Sequence, residues 1–233
     1  MRPGDPKAVR NLFDDVAPIY DHLNDLLSFG LHRFWKRQLL AWLSPMPGEK
    51  WLDLCCGTGD LAIILAPKVY PNGMVLGLDS ASKPLSLARK RSLKDPRLSV
   101  SWVQRDALDT GLESHYFDGV VMGYGLRNLP DPKAGLKEIN RLLKPGSRAG
   151  ILDFNKLPVP SFRATFQKFY LRKIVVPIAA GFGLREHYIY LEESLKKFPD
   201  GSDQVRLAQE LGFSEAKHKL LAAGLMGALL LKS

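Results

Sequence analysis

With 233 residues and no long low-complexity stretch, the chain fits one large domain, or one domain with a modest insertion. Its 33 basic and 24 acidic residues give a formal net charge of +9, which favours an anionic partner such as nucleic acid or an anionic membrane surface, although a basic solvated face gives the same balance. Aspartates among the first thirty residues argue against a signal peptide or transit peptide, and no apolar run reaches the roughly 20 residues that span a bilayer, so we expect a mature cytoplasmic chain.

The predicted elements begin with an N-terminal helical stretch over residues 6–43. Short runs rich in Val, Leu and Ile then predict strands over residues 50–55, 74–78, 98–103, 117–122 and 149–154. Helical patterns lie between them, the clearest over 131–143, where Asp131 can cap and Pro132 occupies the first turn. This alternation is typical of βαβ units on a parallel sheet.

The last third of the chain adds three features. An aromatic and basic insertion covers residues 158–199, a helix is predicted over 203–211, and two closing strands over 213–219 and 225–231.

The two cysteines, Cys55 and Cys56, are neighbours in the segment LDLCCGTGD at residues 52–60. Adjacent Cα atoms are too close for an unstrained disulfide, and no histidine lies near enough in sequence to complete a zinc site. We therefore expect no metal site, and small, mildly apolar side chains on opposite faces at the end of a strand.

The same segment follows the first predicted strand and opens a helix, which is where a Rossmann-type fold binds its ligand. Gly57, Thr58 and Gly59 form the turn, and with Ala62 they partly match a dinucleotide fingerprint. Asp79 lies 20 residues after Gly59, where a carboxylate can accept hydrogen bonds from ribose hydroxyls. Up to this point NAD and S-adenosylmethionine fit equally well.

Charge separates these two ligands. Asp60 lies at the predicted helix N-terminus, where a carboxylate opposes the pyrophosphate of a dinucleotide. Asp53, near the end of the first strand, adds a second negative group. Together they favour S-adenosylmethionine, which carries a cationic sulfonium and an ammonium group; the alternative is that both carboxylates are structural.

Further candidates follow the third and fourth strands. Asp106 and Ala107 can contact an adenine ring, and GYGLRN at residues 123–128 places a turn, an aromatic ring, an arginine and an amide at the ligand-facing edge of the sheet.

These residues carry a family resemblance. The stretches concerned are YDHLNDLLSFGLHRFWK (20–36), LDLCCGTGDLA (52–62), MGYGLRNLPD (122–131), LLKPGS (142–147) and ILDF (151–154). With them the chain resembles class I S-adenosylmethionine-dependent methyltransferases, and among these the ubiquinone/menaquinone biosynthesis C-methyltransferases. It is most similar to the branch of cyanobacteria and plastids, which acts on a phytyl naphthoquinol.

The resemblance implies an α/β Rossmann-like fold with a seven-stranded, mostly parallel sheet and helices on both faces. It divides the single domain into an N-terminal helical cap (1–46), a cofactor-binding core (47–157), a helical lid insertion (158–200) and a closing helix with strands (201–233). S-adenosylmethionine is the implied cofactor, and the matching contacts are Thr58, Asp79, Asp106, Ala107 and Gly123. Cys55 departs from the pattern, because many members have glycine there, and LKPGS replaces the commoner LKPGG.

The implied chemistry is methylation of a ring carbon of a prenylated naphthoquinol. Arg127 is a candidate for stabilising a phenolate and Asn128 for orienting a ring oxygen, with Asp153 as a further catalytic candidate. The alternative for Arg127 is a structural salt bridge.

Two other segments contribute candidates. Tyr20 and Asp21 are catalytic candidates from the cap, for which helix-turn packing and capping are the alternatives. The predicted substrate contacts are Asn24, Tyr124, Phe162, Phe166 and Tyr170. The basic, aromatic lid is either a core-packing helix or a cover for an isoprenoid tail that rests on an anionic membrane.

Several other functions are compatible with parts of the sequence. C-methylation of another prenylated quinol, demethylmenaquinol or a ubiquinone precursor, stays open. A nucleic-acid amino-methyltransferase usually has an Asn/Asp-Pro-Pro-Tyr run where this chain has GLRN, so we expect no nucleic-acid partner. A non-catalytic membrane-surface protein that retains the fold is disfavoured by the three cofactor carboxylates. We expect peripheral membrane association, and homo-oligomer formation stays open.

Overall fold

The computed structural model describes residues 30–93, 95, 98–157 and 185–233, together with residues 10, 11, 14, 25, 28, 169, 173 and 181. Most of the predicted lid and much of the predicted cap lie outside these residues.

Seven strands form one sheet in the order β3-β2-β1-β4-β5-β7-β6. The strands are β1 (Lys50–Leu54), β2 (Met74–Asp79), β3 (Val100–Gln104), β4 (Phe117–Gly123), β5 (Leu143–Phe154), β6 (Glu215–Leu221) and β7 (Met226–Lys232). The pairs among β1 to β5 are parallel, whereas β7 runs antiparallel to both β5 and β6. The predicted mostly parallel sheet of seven strands is confirmed.

Six α-helices complete the described fold. They are α1 (Leu31–Leu43), α2 (Asp60–Val69), α3 (Ser82–Ser92), α4 (Pro132–Leu142), α5 (Arg185–Lys197) and α6 (Gly201–Glu210). The start of α4 is as predicted, because the Asp131 side chain accepts hydrogen bonds from the backbone N–H groups of Lys133 and Ala134. None of the helices in the described part of the chain combines the length and the apolar character that a membrane crossing requires.

The largest difference from the predicted boundaries is at β5, which begins directly after α4 instead of at residue 149. Leu143 pairs with Phe117, and the next pair is Arg148 with Gly119, so the ladder is interrupted between them. Pro145 and Gly146 lie in this interruption, where a missing N–H and a positive φ of 77° at Gly146 are tolerated.

Both faces of the sheet are covered by apolar side chains. One buried cluster includes Leu52 of β1 and Leu136 of α4, and the other includes Trp51 of β1 and Leu39 of α1. Neighbouring residues of a strand point to opposite faces, so a strand buried on both faces is mostly apolar, as β1 is apart from Lys50 and Asp53. The sheet is therefore buried between two apolar clusters, and its carboxyl edge can carry a site.

Candidate active site

A cavity lies at the carboxyl edge of the sheet, where the strand order reverses between β1 and β4. Six of the eight residues predicted to bind the cofactor line it: Gly57, Thr58, Asp79, Asp106, Ala107 and Gly123. Tyr124 and Asn128, which follow β4, line it as well. The topology thus brings together residues from the carboxyl ends of four strands, β1 to β4, at the position where open α/β sheets bind ligands.

The loop after β1 is built from left-handed backbone. Strand β1 ends at Leu54, and Cys55, Gly57 and Gly59 have φ values of 58°, 55° and 84°. The predicted placement of both cysteines at the strand end was therefore wrong, because Cys55 already belongs to the turn. Its φ also explains why glycine suits this position, since a side chain makes the left-handed conformation unfavourable.

The two thiols are not activated. Burial raises the pKa of Cys55 and of Cys56 well above the ordinary value, and nearby carboxylates raise both further. Both cysteines are free, and within the described residues no group of His, Cys, Asp or Glu side chains is arranged to hold a metal ion. The thiols therefore act as small, weakly polar lining groups.

Asp79, the last residue of β2, fixes the shape of the glycine loop. Its Oδ2 accepts the Gly57 N–H at 2.8 Å, and its Oδ1 accepts the Ala81 N–H at 2.9 Å. Burial raises its pKa, and these backbone hydrogen bonds oppose the shift. Because each carboxylate oxygen can accept more than one hydrogen bond, Asp79 can also hold ribose hydroxyls from the cavity.

Asp53 lies on β1 beneath the loop and is 1% exposed. Its Oδ2 accepts the Ala62 N–H at 2.9 Å, whereas Oδ1 has no hydrogen-bond partner among the described residues. Burial raises its pKa to about 7. Asp53 is not among the residues that line the cavity, but a buried carboxylate oxygen without a donor is costly, so this atom is a candidate partner for a cationic group bound in the adjoining cavity.

Asp60 forms two ion pairs that the sequence did not predict. Its Oδ2 lies 2.7 Å from Lys36 Nζ, and its Oδ1 lies 2.6 Å from Arg91 Nη2. Burial alone would raise the pKa of Asp60, but these two cations outweigh it and hold the pKa well below the usual range. Asp60 lines the cavity, but two cations share its carboxylate, so it presents less negative charge to a ligand than its position in the sequence suggests.

Arg127 and Asp153 form a buried ion pair. The Arg127 backbone N–H donates to Asp153 Oδ2 at 3.0 Å, its Nε lies 3.4 Å from Oδ1, and its Nη1 donates to Ser194 Oγ on α5. The two charged side chains are 6% and 5% exposed, and neither belongs to the cavity lining. This geometry favours the structural alternative for Arg127 over direct contact with the substrate.

Asn128 and Tyr124 do reach the cavity. Asn128 Nδ2 donates to the Tyr124 carbonyl at 2.8 Å, which fixes the orientation of the amide. Its Oδ1 is buried without a hydrogen-bond partner in the described part of the chain. An acceptor is therefore held ready for a hydroxyl donor.

The chain is similar to a known protein family. A sequence model described as the ubiE/COQ5 methyltransferase family matches residues 1–230.

The chain belongs to this family.

Two relatives show how far the similarity extends. The 2-phytyl-1,4-naphtoquinone methyltransferase of Synechococcus elongatus is 49% identical over 230 residues, which are 98% of each chain. The chloroplastic 2-phytyl-1,4-beta-naphthoquinone methyltransferase of Arabidopsis thaliana is 43% identical over 221 residues, covering 94% of this chain and 84% of the relative.

Solved structures of low sequence identity share the fold. A SAM-dependent methyltransferase from Aquifex aeolicus has a TM-score of 0.64 at 15% identity, over 87% of this chain and 91% of that one. Phosphoethanolamine N-methyltransferase 2 of Haemonchus contortus, in complex with S-adenosyl-L-methionine, has a TM-score of 0.62 at 19% identity, over 80% of this chain and 38% of that one. The predicted class I methyltransferase fold and its S-adenosylmethionine cofactor are confirmed at the level of the family.

Six predicted site residues of this methyltransferase lie outside the described residues and stay predictions: Tyr20, Asp21, Asn24, Phe162, Phe166 and Tyr170. Conversely, sequence reasoning missed Lys36 and Arg10, which both line the cavity. Lys36 ends the family-specific stretch over residues 20–36, which was the available signal.

Asp53, whose Oδ1 has no hydrogen-bond partner among the described residues, leads to a proton-linkage prediction. Its native pKa of about 7 lies above the ordinary 3.8, so its contribution to stability is present below the ordinary value and is lost as pH rises through 7. An ammonium group bound at Oδ1 would lower the pKa again. Binding of S-adenosylmethionine near pH 7 should therefore release protons from Asp53.

Calorimetric titration in two buffers of different ionisation enthalpy measures this release. We expect proton release by the parent protein and none from this group in Asp53→Asn. Asp118→Asn is the matched control, because Asp118 lies at the opposite edge of the sheet, paired with Lys144. Equal proton release by parent and Asp53→Asn would contradict the assignment.

Proposed function

We propose that this methyltransferase transfers the methyl group of S-adenosylmethionine to a ring carbon of a phytyl naphthoquinol (2-phytyl-1,4-naphthoquinol), the last ring methylation of phylloquinone synthesis. The observation that carries the proposal is the similarity at 43–49% identity, over nearly the whole chain, to proteins named for this substrate. C-methylation of another prenylated quinol, such as demethylmenaquinol, is the second candidate. The family match does not distinguish between these quinols, and the lid residues predicted to contact the tail lie outside the described residues.

The residues of the cavity divide the task between them. When bound, S-adenosylmethionine supplies an electrophilic methyl group on a sulfonium. We assign Asp79, Asp106 and the backbone around Gly57, which line the cavity, to its nucleoside, and the buried Asp53 to its ammonium group. The contribution of the protein is then chiefly positioning and electrostatics.

The acceptor side is formed by the turn after β4. We assign Asn128 Oδ1 the role of accepting a hydrogen bond from a quinol hydroxyl, which increases electron density on the ring. Arg127, the neighbouring residue, is paired with Asp153 and Ser194, and we assign it the positioning of this turn. On methyl transfer the quinol loses one ring proton, so the products are the methylated quinol, S-adenosylhomocysteine and a proton.

A substrate panel tests the proposal. Purified protein and methyl-labelled S-adenosylmethionine would be incubated with reduced demethylated naphthoquinols and benzoquinols of different tails. We expect the highest kcat/KM with the phytyl naphthoquinol. A higher kcat/KM with an isoprenyl naphthoquinol would assign the enzyme to the second candidate, and transfer to none of them would contradict both.

We also infer that the protein works at a membrane surface while remaining peripheral. The support is the net charge of +9 and the basic residues predicted for the lid, Arg163, Lys168, Arg172 and Lys173. In the same assay, substrate delivered in anionic vesicles should be methylated faster than in neutral vesicles, and salt should remove the difference. Equal methylation rates with anionic and neutral vesicles would argue against this inference.

A further inference from the structure

Lys36 is the least expected charge in the site. It lies on α1, its side chain is 8% exposed, and it lines the same cavity as the glycine loop. Its Nζ lies 5.7 Å from the centroid of the Tyr124 ring. A lysine is rarely buried to this extent unless its ammonium group has partners.

The described residues do not use all the hydrogen-bond donors of the Lys36 ammonium group. Among the described residues, Asp60 is the hydrogen-bond partner of Nζ, at 2.7 Å, and an ammonium group has three N–H donors. The other oxygen of Asp60 is bonded to Arg91, so one carboxylate faces two cations. Lys36 therefore has unused donors, and the pair with Asp60 and Arg91 leaves a positive charge at the cavity.

Other charged groups nearby do not cancel this charge. His32 Nε2 lies 4.0 Å from Asp60, and burial together with Lys36 lowers the pKa of His32, so the imidazole is neutral near pH 7. Arg10 adds a second cation to the lining. Asp53 is within electrostatic reach of Lys36, but its own unpartnered oxygen fits a cation of the ligand.

We propose that Lys36 binds the carboxylate of the methionine portion of S-adenosylmethionine. The inference rests on the proposed function, since it concerns the methyl donor of that reaction. The amino-acid end of this molecule carries an ammonium group and a carboxylate. Lys36 offers buried ammonium donors in the cavity lining, and Asp53 offers a buried carboxylate oxygen beneath the glycine loop. Two opposite charges then fix the orientation of the ligand and present its sulfonium to the acceptor side.

Removing the carboxylate from the ligand gives the sharpest test. Decarboxylated S-adenosylmethionine retains the adenosine, the sulfonium and the amine. Calorimetric affinities of both ligands would be measured for the parent, Lys36→Met and Lys36→Arg. A charged hydrogen bond corresponds to a factor of about 10–150 in affinity, so Lys36→Met should lose about that factor for S-adenosylmethionine and little for the decarboxylated form. Lys36→Arg should retain most of the preference.

Lys50→Met is the matched control. Lys50 also lies over an aromatic ring, that of Tyr116, at 4.2 Å, but it begins β1 at the opposite edge of the sheet. It should leave the affinities of both ligands unchanged.

The outcomes separate the possible explanations. Equal losses for the two ligands in Lys36→Met would show that Lys36 acts only through Asp60, and would overturn the proposal. If Lys36→Met does not fold, the affinities of the parent protein for the two ligands provide the test. The parent should bind S-adenosylmethionine about tenfold or more tighter than the decarboxylated ligand. Equal affinities would overturn the proposal. Absence of binding of either ligand to the folded parent would instead contradict the proposed function.

Discussion

Replacing Arg127 by methionine is expected to lower the free energy of unfolding by about 3–5 kcal/mol. The change removes the cation that faces Asp153 and leaves a carboxylate that is 5% exposed without its partner. Burial already raises the pKa of Asp153, and Arg127 opposes that shift. Without Arg127 the pKa rises further, so the loss of stability should be larger at pH 8 than at pH 5.

The free energies of unfolding of three further variants, measured by denaturant titration, show what causes this loss of stability. Arg127→Met with Asp153→Leu replaces the pair by apolar side chains and should recover most of the stability. Arg206→Met removes the exposed pair with Asp203 and should cost about 1 kcal/mol or less. Ser194→Ala should weaken the attachment of α5 to the turn, at a smaller cost than Arg127→Met.

The same variants distinguish a structural role of Arg127 from a direct role in catalysis. If Arg127 stabilises a phenolate directly, Arg127→Met would lose turnover while the free energy of unfolding stays unchanged. If it positions the turn, activity should follow stability and return in part in the double variant. Unchanged stability together with lost turnover would therefore contradict the structural interpretation of the pair.

The enzyme is expected to methylate the reduced naphthoquinol under anaerobic conditions and to leave the quinone essentially unmethylated. A quinone ring is too electron-poor to attack a sulfonium methyl group, whereas the quinol becomes nucleophilic as a hydroxyl shares its proton. Asn128 is consistent with the same oxidation state, because its buried Oδ1 has no hydrogen-bond partner among the described residues and can only accept. A quinol offers a hydroxyl donor to that atom, and a quinone offers none.

Product formation from quinol and quinone would be compared with excess chemical reductant and with reductant removed. Asn128→Leu should lower kcat more than it lowers the affinity for S-adenosylmethionine. Asn140→Leu is a matched control, because Asn140 also donates Nδ2 to a backbone carbonyl and has a buried Oδ1 without a described partner, but it does not line the cavity. Comparable rates for quinone and quinol with reductant rigorously absent would show that the proposed chemistry is wrong.

The described part of the protein contains no group that would reduce the quinone itself. Cys55 and Cys56 are adjacent, and burial raises the pKa of each thiol. Two adjacent thiols with raised pKa values are therefore poor reductants for the quinone.

Sequence alone was sufficient for the sheet and for the position of the site. The apolar runs of the strands, the capping Asp131 and the glycine turn act over a few residues, so their structural consequences can be read locally. The rule that parallel strands place their carboxyl ends at one edge then brought Asp79, Asp106 and Gly123 to one cavity.

Only the tertiary structure decided the electrostatic role of each charged residue. Asp60 meets Lys36 and Arg91 from positions 24 and 31 residues away in the chain, and Arg127 meets Asp153 and Ser194 from 26 and 67 residues away. The charge that a carboxylate or a guanidinium presents to a ligand depends on its neighbours within a few ångströms and on its burial. Neither quantity is encoded in local sequence, so the sequence did not predict the two cations that pair with Asp60, and it missed Lys36.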